Sequence, residues 1–373
     1  MKKIVLFLGI AACIFTACQD RNAYTLTGRF ADNRQDGKTV YLQKLDSNFR
    51  VSDADDSTKV ENGIFSFKGI AENVPVVQFI FINDSIESAA FVVEKGKIEM
   101  NFDSVLNVTL KGTVMNNQYK EFKAKRDSMF EKMGSARMKY EEIKEAGNLT
   151  LEQFQEFKTT SKKQWEELGN IVFNYIKPDI KNPAGQYFLI DNQYCMKDDQ
   201  LKELISLSTS DFQNSERIQK MKERIEKREA TAVGKYFTDV KGLNFNGKEV
   251  SLSDYAGKGK VALVDFWASW CGPCIYYMPD VVKIYQQYKN KGFEIVGISL
   301  DINKDNWKKS TDDLKITWPQ FSNLKGWDED CAVAYGINSI PQTILIDKDG
   351  KIIERGLDAD ALRFELEKLL GNK

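Results

Sequence analysis

Two thiols stand one helical turn apart in Trp270-Cys271-Gly272-Pro273-Cys274, directly after an apolar run, and that pair at that spacing suits thiol–disulfide exchange. The run from Val261 to Trp267 is short, β-branched and apolar, as a fully buried parallel strand is, and Pro273 falls where the first turn of a helix accepts proline. Cys271 is therefore expected at a helix N-terminus. Unpaired N–H groups and the positive end of the helix dipole favour its thiolate over its thiol, which makes it the nucleophile. Cys274, one turn further in, is the thiol that attacks the mixed disulfide and releases product. A disulfide closed across two residues is a small ring that another thiol pair opens, which fits exchange better than permanent cross-linking. The competing use of such a pair is a structural zinc knuckle, which needs two more ligands. The chain has no histidine, and Cys195 and Cys331 each stand alone, so no metal and no cofactor is expected.

The missing histidine has a second consequence, since proton transfer near neutral pH then falls to carboxylates, thiols or water. The 53 Lys and Arg residues balance 54 Asp and Glu, and a net charge of -1 offers no broad attraction for nucleic acid or anionic lipid. At 373 residues the chain is long enough for two or three domains.

The elements that must position the cysteines lie in the last of four expected segments, which span residues 1–17, 18–112, 113–233 and 234–373. In 234–373, strands and helices alternate. Leu243 to Val250 reads as a hairpin about Asn246-Gly247. The active-site strand and a helix from Pro273 to about Tyr288 follow, then a strand from Phe293 to Leu300. Helices over Asn306 to Leu314, Glu329 to Tyr335 and Ala361 to Leu370, with strands over Thr343 to Ile346 and Lys351 to Glu354, complete a mixed sheet covered by helices on both faces. Residues 18–112 read as an antiparallel β domain of sandwich type, with strands at Tyr24–Phe30, Thr39–Leu42, Gly63–Phe67, Val76–Ile82, Phe91–Val93 and Ile98–Phe102. Residues 113–233 read as helical. Thr150 and Gln153 form a capping box, an apolar stripe from Leu151 to Tyr175 stops at Pro178, Pro183 opens a helix, and Ser210 with Gln213 caps a charged one through Arg228. These stripes serve a core or a second copy of the chain. Cys195 and Cys331 read as small buried hydrophobes.

Met1-Lys2-Lys3 and the apolar run from Ile4 to Ala17 read as a secretory signal, too short to span a bilayer. Phe15-Thr16-Ala17-Cys18, followed by Gln19-Asp20-Arg21-Asn22, resembles the lipobox of bacterial lipoproteins and is favoured over the competing Ile10-Ala11-Ala12-Cys13. That resemblance implies a lipid anchor on Cys18 and a mature protein tethered in the periplasm, with the choice of inner or outer membrane open. Disulfides persist in that compartment.

Val264-Asp265-Phe266-Trp267-Ala268-Ser269-Trp270-Cys271-Gly272-Pro273-Cys274, with Ile340-Pro341 further on, resembles thioredoxin over about residues 235–373. The leading segment Leu243 to Tyr255 and the insertion between Leu300 and Tyr335 make the larger frame similar to the TlpA/ResA-like branch. The resemblance implies that Cys271 attacks, that Cys274 resolves, and that Pro341 is cis and lies against the pair, with the Ile340 backbone pairing to the substrate chain. Trp270, Gly272 and Pro273 complete the substrate-contacting set, while Trp267 packs in the core. Asp265, six residues before Cys271, matches the buried carboxylate of thioredoxins. Physical chemistry agrees, because an ionised carboxylate in an apolar strand is costly and its pKa should rise into the range where it exchanges a proton with Cys274. The branch commonly carries a glutamate three residues after the second cysteine, whereas this chain has Tyr277, and the strand from Phe293 lacks the lysine that accompanies the Asp in many thioredoxins. Pro279 is retained within the active-site helix.

The Gly-Pro dipeptide of reducing thioredoxins implies a reductase of exported disulfide-bearing proteins, fed by a membrane electron donor, with cytochrome c maturation as one setting. Two rivals stand beside it. A thiol peroxidase places Pro and Thr upstream of its attacking cysteine, and Phe266 to Trp270 has neither. The other is a surface-binding lipoprotein in which the redox domain is accessory to the front half.

Overall fold

Alternation in the first strand buries Tyr24 and Leu26 on one face and leaves the intervening side chains nearer solvent, the pattern of a sheet covered on one side. The computed structural model describes residues 22–46, 49–83 and 88–371. The expected leader at 1–17, its alternative site at Cys13 and the lipidation expected at Cys18 lie outside these residues. Among the described residues no helix is long and apolar enough to cross a membrane.

Among the described residues, eight strands precede the first α-helix: β1 (Ala23–Phe30), β2 (Thr39–Leu45), β3 (Val51–Lys59), β4 (Ile64–Ile70), β5 (Val76–Ile82), β6 (Ser88–Val93), β7 (Gly96–Phe102) and β8 (Val108–Lys111). They form two four-stranded sheets, ordered β4-β1-β7-β8 and β3-β2-β5-β6, whose inward residues, among them Leu26, Val40, Ile80, Phe91 and Ile98, share one core. The expected all-antiparallel domain is corrected in one respect. β1 and β7 run parallel, with Leu26 opposite Ile98, because the chain visits the other sheet between them and returns without the reversal a hairpin imposes.

The helices that follow are α1 (Val114–Glu145), α2 (Leu151–Ile176), α3 (Pro183–Asn192), α4 (Asp198–Leu207), α5 (Ser210–Asn214) and α6 (Glu216–Ala230). The Thr150 capping box forms as read: Gln153 N donates to Thr150 Oγ1 at 3.2 Å, and Thr150 N to Gln153 Oε1 at 3.0 Å. Ser210 and Gln213 do not cap the charged helix. They sit in the separate turn α5, and Ser215 takes the N-cap position of α6.

The chain folds as two compact units, one of residues up to Phe130 with Leu168–Met196 and Leu207–Thr209, the other of Glu131–Glu167, Lys197–Ser206 and Ser210–Lys373. The helical segment 113–233 is thus divided between them, because its apolar stripes are drawn into two different cores. In the second unit, Tyr140 and Phe154 belong to the same core as the strand leading to Cys271. Phe154 packs on Phe364 with ring centroids 4.7 Å apart, and the Tyr140 hydroxyl donates to Asp360 Oδ2 at 2.9 Å.

The rest of this unit comprises β9 (Lys241–Leu243), β10 (Glu249–Ser251), β11 (Val261–Trp267), α7 (Gly272–Tyr288), β12 (Phe293–Ser299), α8 (Lys304–Asp313), β13 (Gln320–Phe321), α9 (Asp330–Ala334), β14 (Gln342–Ile346), β15 (Ile352–Arg355) and α10 (Ala359–Leu370). Five of these strands form a sheet in the order β13-β12-β11-β14-β15, with β11 to β13 parallel and β14 and β15 antiparallel. Every residue of β11 is buried, which is why its sequence is continuously apolar apart from Asp265. Full burial of each large side chain there contributes about 1.5–3 kcal/mol.

The turn leading to Pro341 depends on Gly336. It has φ +63°, and a Cβ there would lie 2.5 Å from the Arg224 carbonyl oxygen of α6. Gly336→Ala is expected to cost about 2 kcal/mol or more, from left-handed strain plus a clash with backbone that does not rotate away. Urea unfolding checks this, and an unchanged midpoint would mean that α6 and the turn are not held as described.

Candidate redox site

β11 ends at Trp267, and after three intervening residues the chain enters α7 with Cys271 as its N-cap residue and Pro273 in the first turn. Cys271 Sγ accepts the Cys274 N–H at 3.2 Å, the contact that a side-chain oxygen makes at most helix starts. A sulfur held there gains more as thiolate than as thiol, which accounts physically for the nucleophile expected from the sequence. The two cysteines are joined as a disulfide with S–S 2.06 Å and Cα atoms 5.2 Å apart. Cys271 keeps 5% of its surface accessible and Cys274 none, so an incoming sulfur reaches Cys271 first.

The loop before the pair is fixed from β12. Asp301, 2% exposed, accepts Ser269 N at 3.0 Å, Ser269 Oγ at 2.5 Å and Ser299 Oγ at 2.7 Å. The sequence reading missed Asp301, although a polar Ser-Leu-Asp ending on an apolar strand is the kind of signal that marks such an anchor. Trp270 is 53% exposed beside the disulfide and lies 6.0 Å from the ring of Trp327, itself 47% exposed. Trp327 also went unnoticed in the sequence, because its proximity arises only through the fold. Trp267 is fully buried and donates Nε1–H to Gln320 Oε1 at 3.0 Å.

The Ile340–Pro341 peptide is cis. Gln342 pairs with Phe266 across β11 and β14, which brings Pro341 to the same end of the sheet as the disulfide. Gly272, Pro273, Tyr276 and Tyr277 of α7 share a cleft of about 540 Å³ with Pro341 and Thr343, and Arg137 and Lys144 of α1 form part of its wall. Lys144 is held by Asp360 at 2.8 Å. The helical segment therefore contributes directly to the surroundings of the redox pair. Ile340 is half-buried beside exposed Pro341.

Asp265 lies mid-strand, opposite Gly297 of β12 and Thr343 of β14, and is wholly buried. Burial raises its pKa to about 7, against which a hydrogen bond from the Tyr277 hydroxyl to its Oδ1 acts in the lowering direction. Its other oxygen, Oδ2, has no hydrogen-bond partner among the described residues. Burial pushes the Tyr277 phenol well above its ordinary range, so it stays a donor at any physiological pH. The contact between Asp265 and Tyr277 was not anticipated; the sequence marked Tyr277 only as the place where an acid was missing.

Cys195 and Cys331 are both free and buried, and burial pushes both thiols up, most strongly that of Cys331. Neither is placed to compete as a nucleophile.

A disulfide at the start of the helix after the central strand, with a cis-proline turn at the same sheet end, is the architecture of thioredoxin-fold dithiol proteins. The family model and the curated relatives agree. Residues 233–355 match the AhpC/TSA family, and residues 24–119 match a domain of unknown function, DUF4369. Thiol-disulfide oxidoreductase ResA of Bacillus thuringiensis is 31% identical over 144 residues, covering 39% of this chain and 80% of the relative. ResA of Geobacillus thermodenitrificans is 34% identical over 123 residues, covering 33% and 68%. Among solved structures, the thioredoxin domain of a thiol-disulfide oxidoreductase from Bacteroides vulgatus is 37% identical, covering 37% of this chain and 98% of that one, with a TM-score of 0.35. This chain belongs to the AhpC/TSA thioredoxin-fold family, among relatives of the ResA thiol-disulfide oxidoreductases, and is itself a thiol-disulfide oxidoreductase.

Proposed function

We propose that this oxidoreductase works as a disulfide reductase of exported proteins, tethered in the periplasm through a lipid on Cys18 and recharged by a membrane electron donor. The observation that carries the reading is the Cys271 sulfur at the N-cap of α7, accepting a backbone N–H where a thiolate is favoured. In the reduced protein, Cys271 thiolate attacks one sulfur of the substrate disulfide, and the other sulfur leaves as a thiolate that takes a proton from solvent. Cys274 loses its proton to Asp265 and attacks Cys271. The Cys271–Cys274 bond forms, the bond to substrate breaks, and two electrons have passed from protein to substrate. Ile340 and Pro341 supply the edge against which the substrate chain lies, and Trp270, Gly272 and Pro273 form the surface it meets.

The direction of electron flow is tested by the reduction potential of the Cys271–Cys274 pair in the full chain, titrated against a dithiol buffer. A value near about −270 mV, that of thioredoxin, is expected. A value near about −120 mV, that of a strong oxidant, would reverse the assignment to an oxidase or isomerase. Metabolic labelling with a tritiated fatty acid tests the anchor: label that disappears in Cys18→Ala supports it, and unlabelled wild-type protein overturns it.

A further inference from the structure

Cys274 and Tyr277 are three residues apart on α7 and therefore share one face of the helix. On that face the Tyr277 hydroxyl reaches Asp265 of β11 and donates to Oδ1. Cys274, one turn earlier, is wholly buried on the same side. In the disulfide form, Asp265 Oδ2 is buried and has no hydrogen-bond partner among the described residues. A buried carboxylate oxygen without a donor is costly, and such an atom in a native site calls for an explanation. Opening the disulfide creates a new donor, the Cys274 S–H, within the same buried face.

From this arrangement we infer that Tyr277 is the positioning residue of the resolving step: it pins one oxygen of Asp265 and leaves the other for the Cys274 thiol. The inference rests on the proposed proton-accepting role of Asp265. A carboxyl group free to rotate would present either oxygen, or neither, to the thiol. One hydrogen-bonded to a rigid phenol, itself anchored in the helix that carries Cys274, presents a defined one. When the mixed disulfide is resolved, the Cys274 proton moves to Asp265 Oδ2, the thiolate attacks Cys271 Sγ, and the Cys271–substrate bond breaks. The proton later leaves Asp265 for solvent in the cleft that Tyr277 and Thr343 line.

The groups that set the pH dependence are few. From β12 and β14, Asp265 faces Gly297 and Thr343, and from α7 it is met by Tyr277, on the helix face that Cys274 shares. The charged side chains that line the cleft beside Tyr277 are Arg137, Lys144, Asp280 and Asp358.

The test is single-turnover release of thionitrobenzoate from its mixed disulfide with Cys271 in the full chain, followed against pH. This leaving group departs as a thiolate, so the only proton to move is that of Cys274. In the wild type, the release rate should rise through a midpoint set by Asp265. Tyr277→Phe removes a donor to the ionised carboxyl, and its midpoint should move to higher pH by about one unit. An isosteric 3-fluorotyrosine at 277, a stronger donor that preserves packing, should move it the other way. In an Asp265→Asn background, both changes at 277 should lose their effect on the profile.

Opposite shifts in the wild type that vanish in Asp265→Asn establish the role. Midpoints that stay put while Asp265→Asn still slows release overturn it and leave the acid–base role of Asp265 standing. If Asp265→Asn does not slow release at all, the acid–base role itself fails, and the inference with it.

Discussion

Asp265→Asn is expected to flatten the pH dependence of stability while slowing turnover about a hundredfold at neutral pH. The folded protein holds the Asp265 proton until about pH 7, whereas the unfolded chain releases it near the ordinary carboxylate value of 3.8. Between those values the folded state binds more protons, so stability is full below about pH 4, falls as pH rises and stays low above about pH 7. The difference between the two states corresponds to about 4 kcal/mol. Asparagine removes this slope but places an N–H₂ group where Oδ2 has no partner, at a cost of about 1–3 kcal/mol. The variant should therefore be the less stable protein at pH 4 and the more stable one at pH 8. Urea unfolding of the disulfide forms at both pH values reads this crossover; parallel profiles would mean that Asp265 does not stay protonated in the fold. Asparagine cannot accept the Cys274 proton, and loss of a positioned base costs about 10²–10⁴ in rate. Stability gained with activity lost is the mark of a carboxyl kept in a costly place for its chemistry.

The sequence exposed the redox half of this molecule far better than the front half, for identifiable reasons. β11 is buried on both faces, so Val261 to Trp267 reads as one apolar run, and helix-compatible Pro273 marks where α7 begins. The strands and helices expected in 234–373 lie within a few residues of where they form, because the buried strands read as apolar runs between clear turns and the helices carry an apolar stripe. β3 was invisible: Val51–Lys59 is mostly exposed and carries three aspartates, as a charged edge strand does, so no alternation announces it. The parallel pairing of β1 with β7 was equally hidden, since local patterning encodes which face is buried and not which distant strand lies alongside. At the site, the cysteines and Pro341 were legible because their chemistry depends on local spacing. Asp301, Trp327 and the Tyr277–Asp265 contact were not, because each unites residues that only the tertiary fold brings together. The assignment of α1 residues Tyr140 and Lys144 to the redox unit has the same origin. One practical consequence is that deleting residues 19–230 would strip Tyr140 and Phe154 from the core that supports Cys271. Single substitutions are the cleaner probe of the front half's contribution.

Cys274→Ser is expected to halt the reaction after its first step and accumulate a stoichiometric mixed disulfide between Cys271 and substrate, whereas Cys271→Ser should reduce nothing above the uncatalysed background. The difference follows from which atoms activate Cys271. Its sulfur is held by the backbone N–H of residue 274 and by the start of α7, and neither depends on the Cys274 side chain. Serine at 274 thus preserves the nucleophile and removes only the thiol that would expel the product. In Cys271→Ser the remaining thiol is Cys274, which has no accessible surface and lacks the N-cap position. Cys195 and Cys331 do not blur the result, since both are buried and their thiols are pushed up. Intact mass spectrometry after mixing each variant with a disulfide-containing peptide gives the readout. One adduct per chain on Cys274→Ser, released by a dithiol, and none on Cys271→Ser is the expected pair of results. Adduct formation on Cys271→Ser at a comparable rate would exchange the roles of the two cysteines and remove the helix N-terminus from the explanation of reactivity.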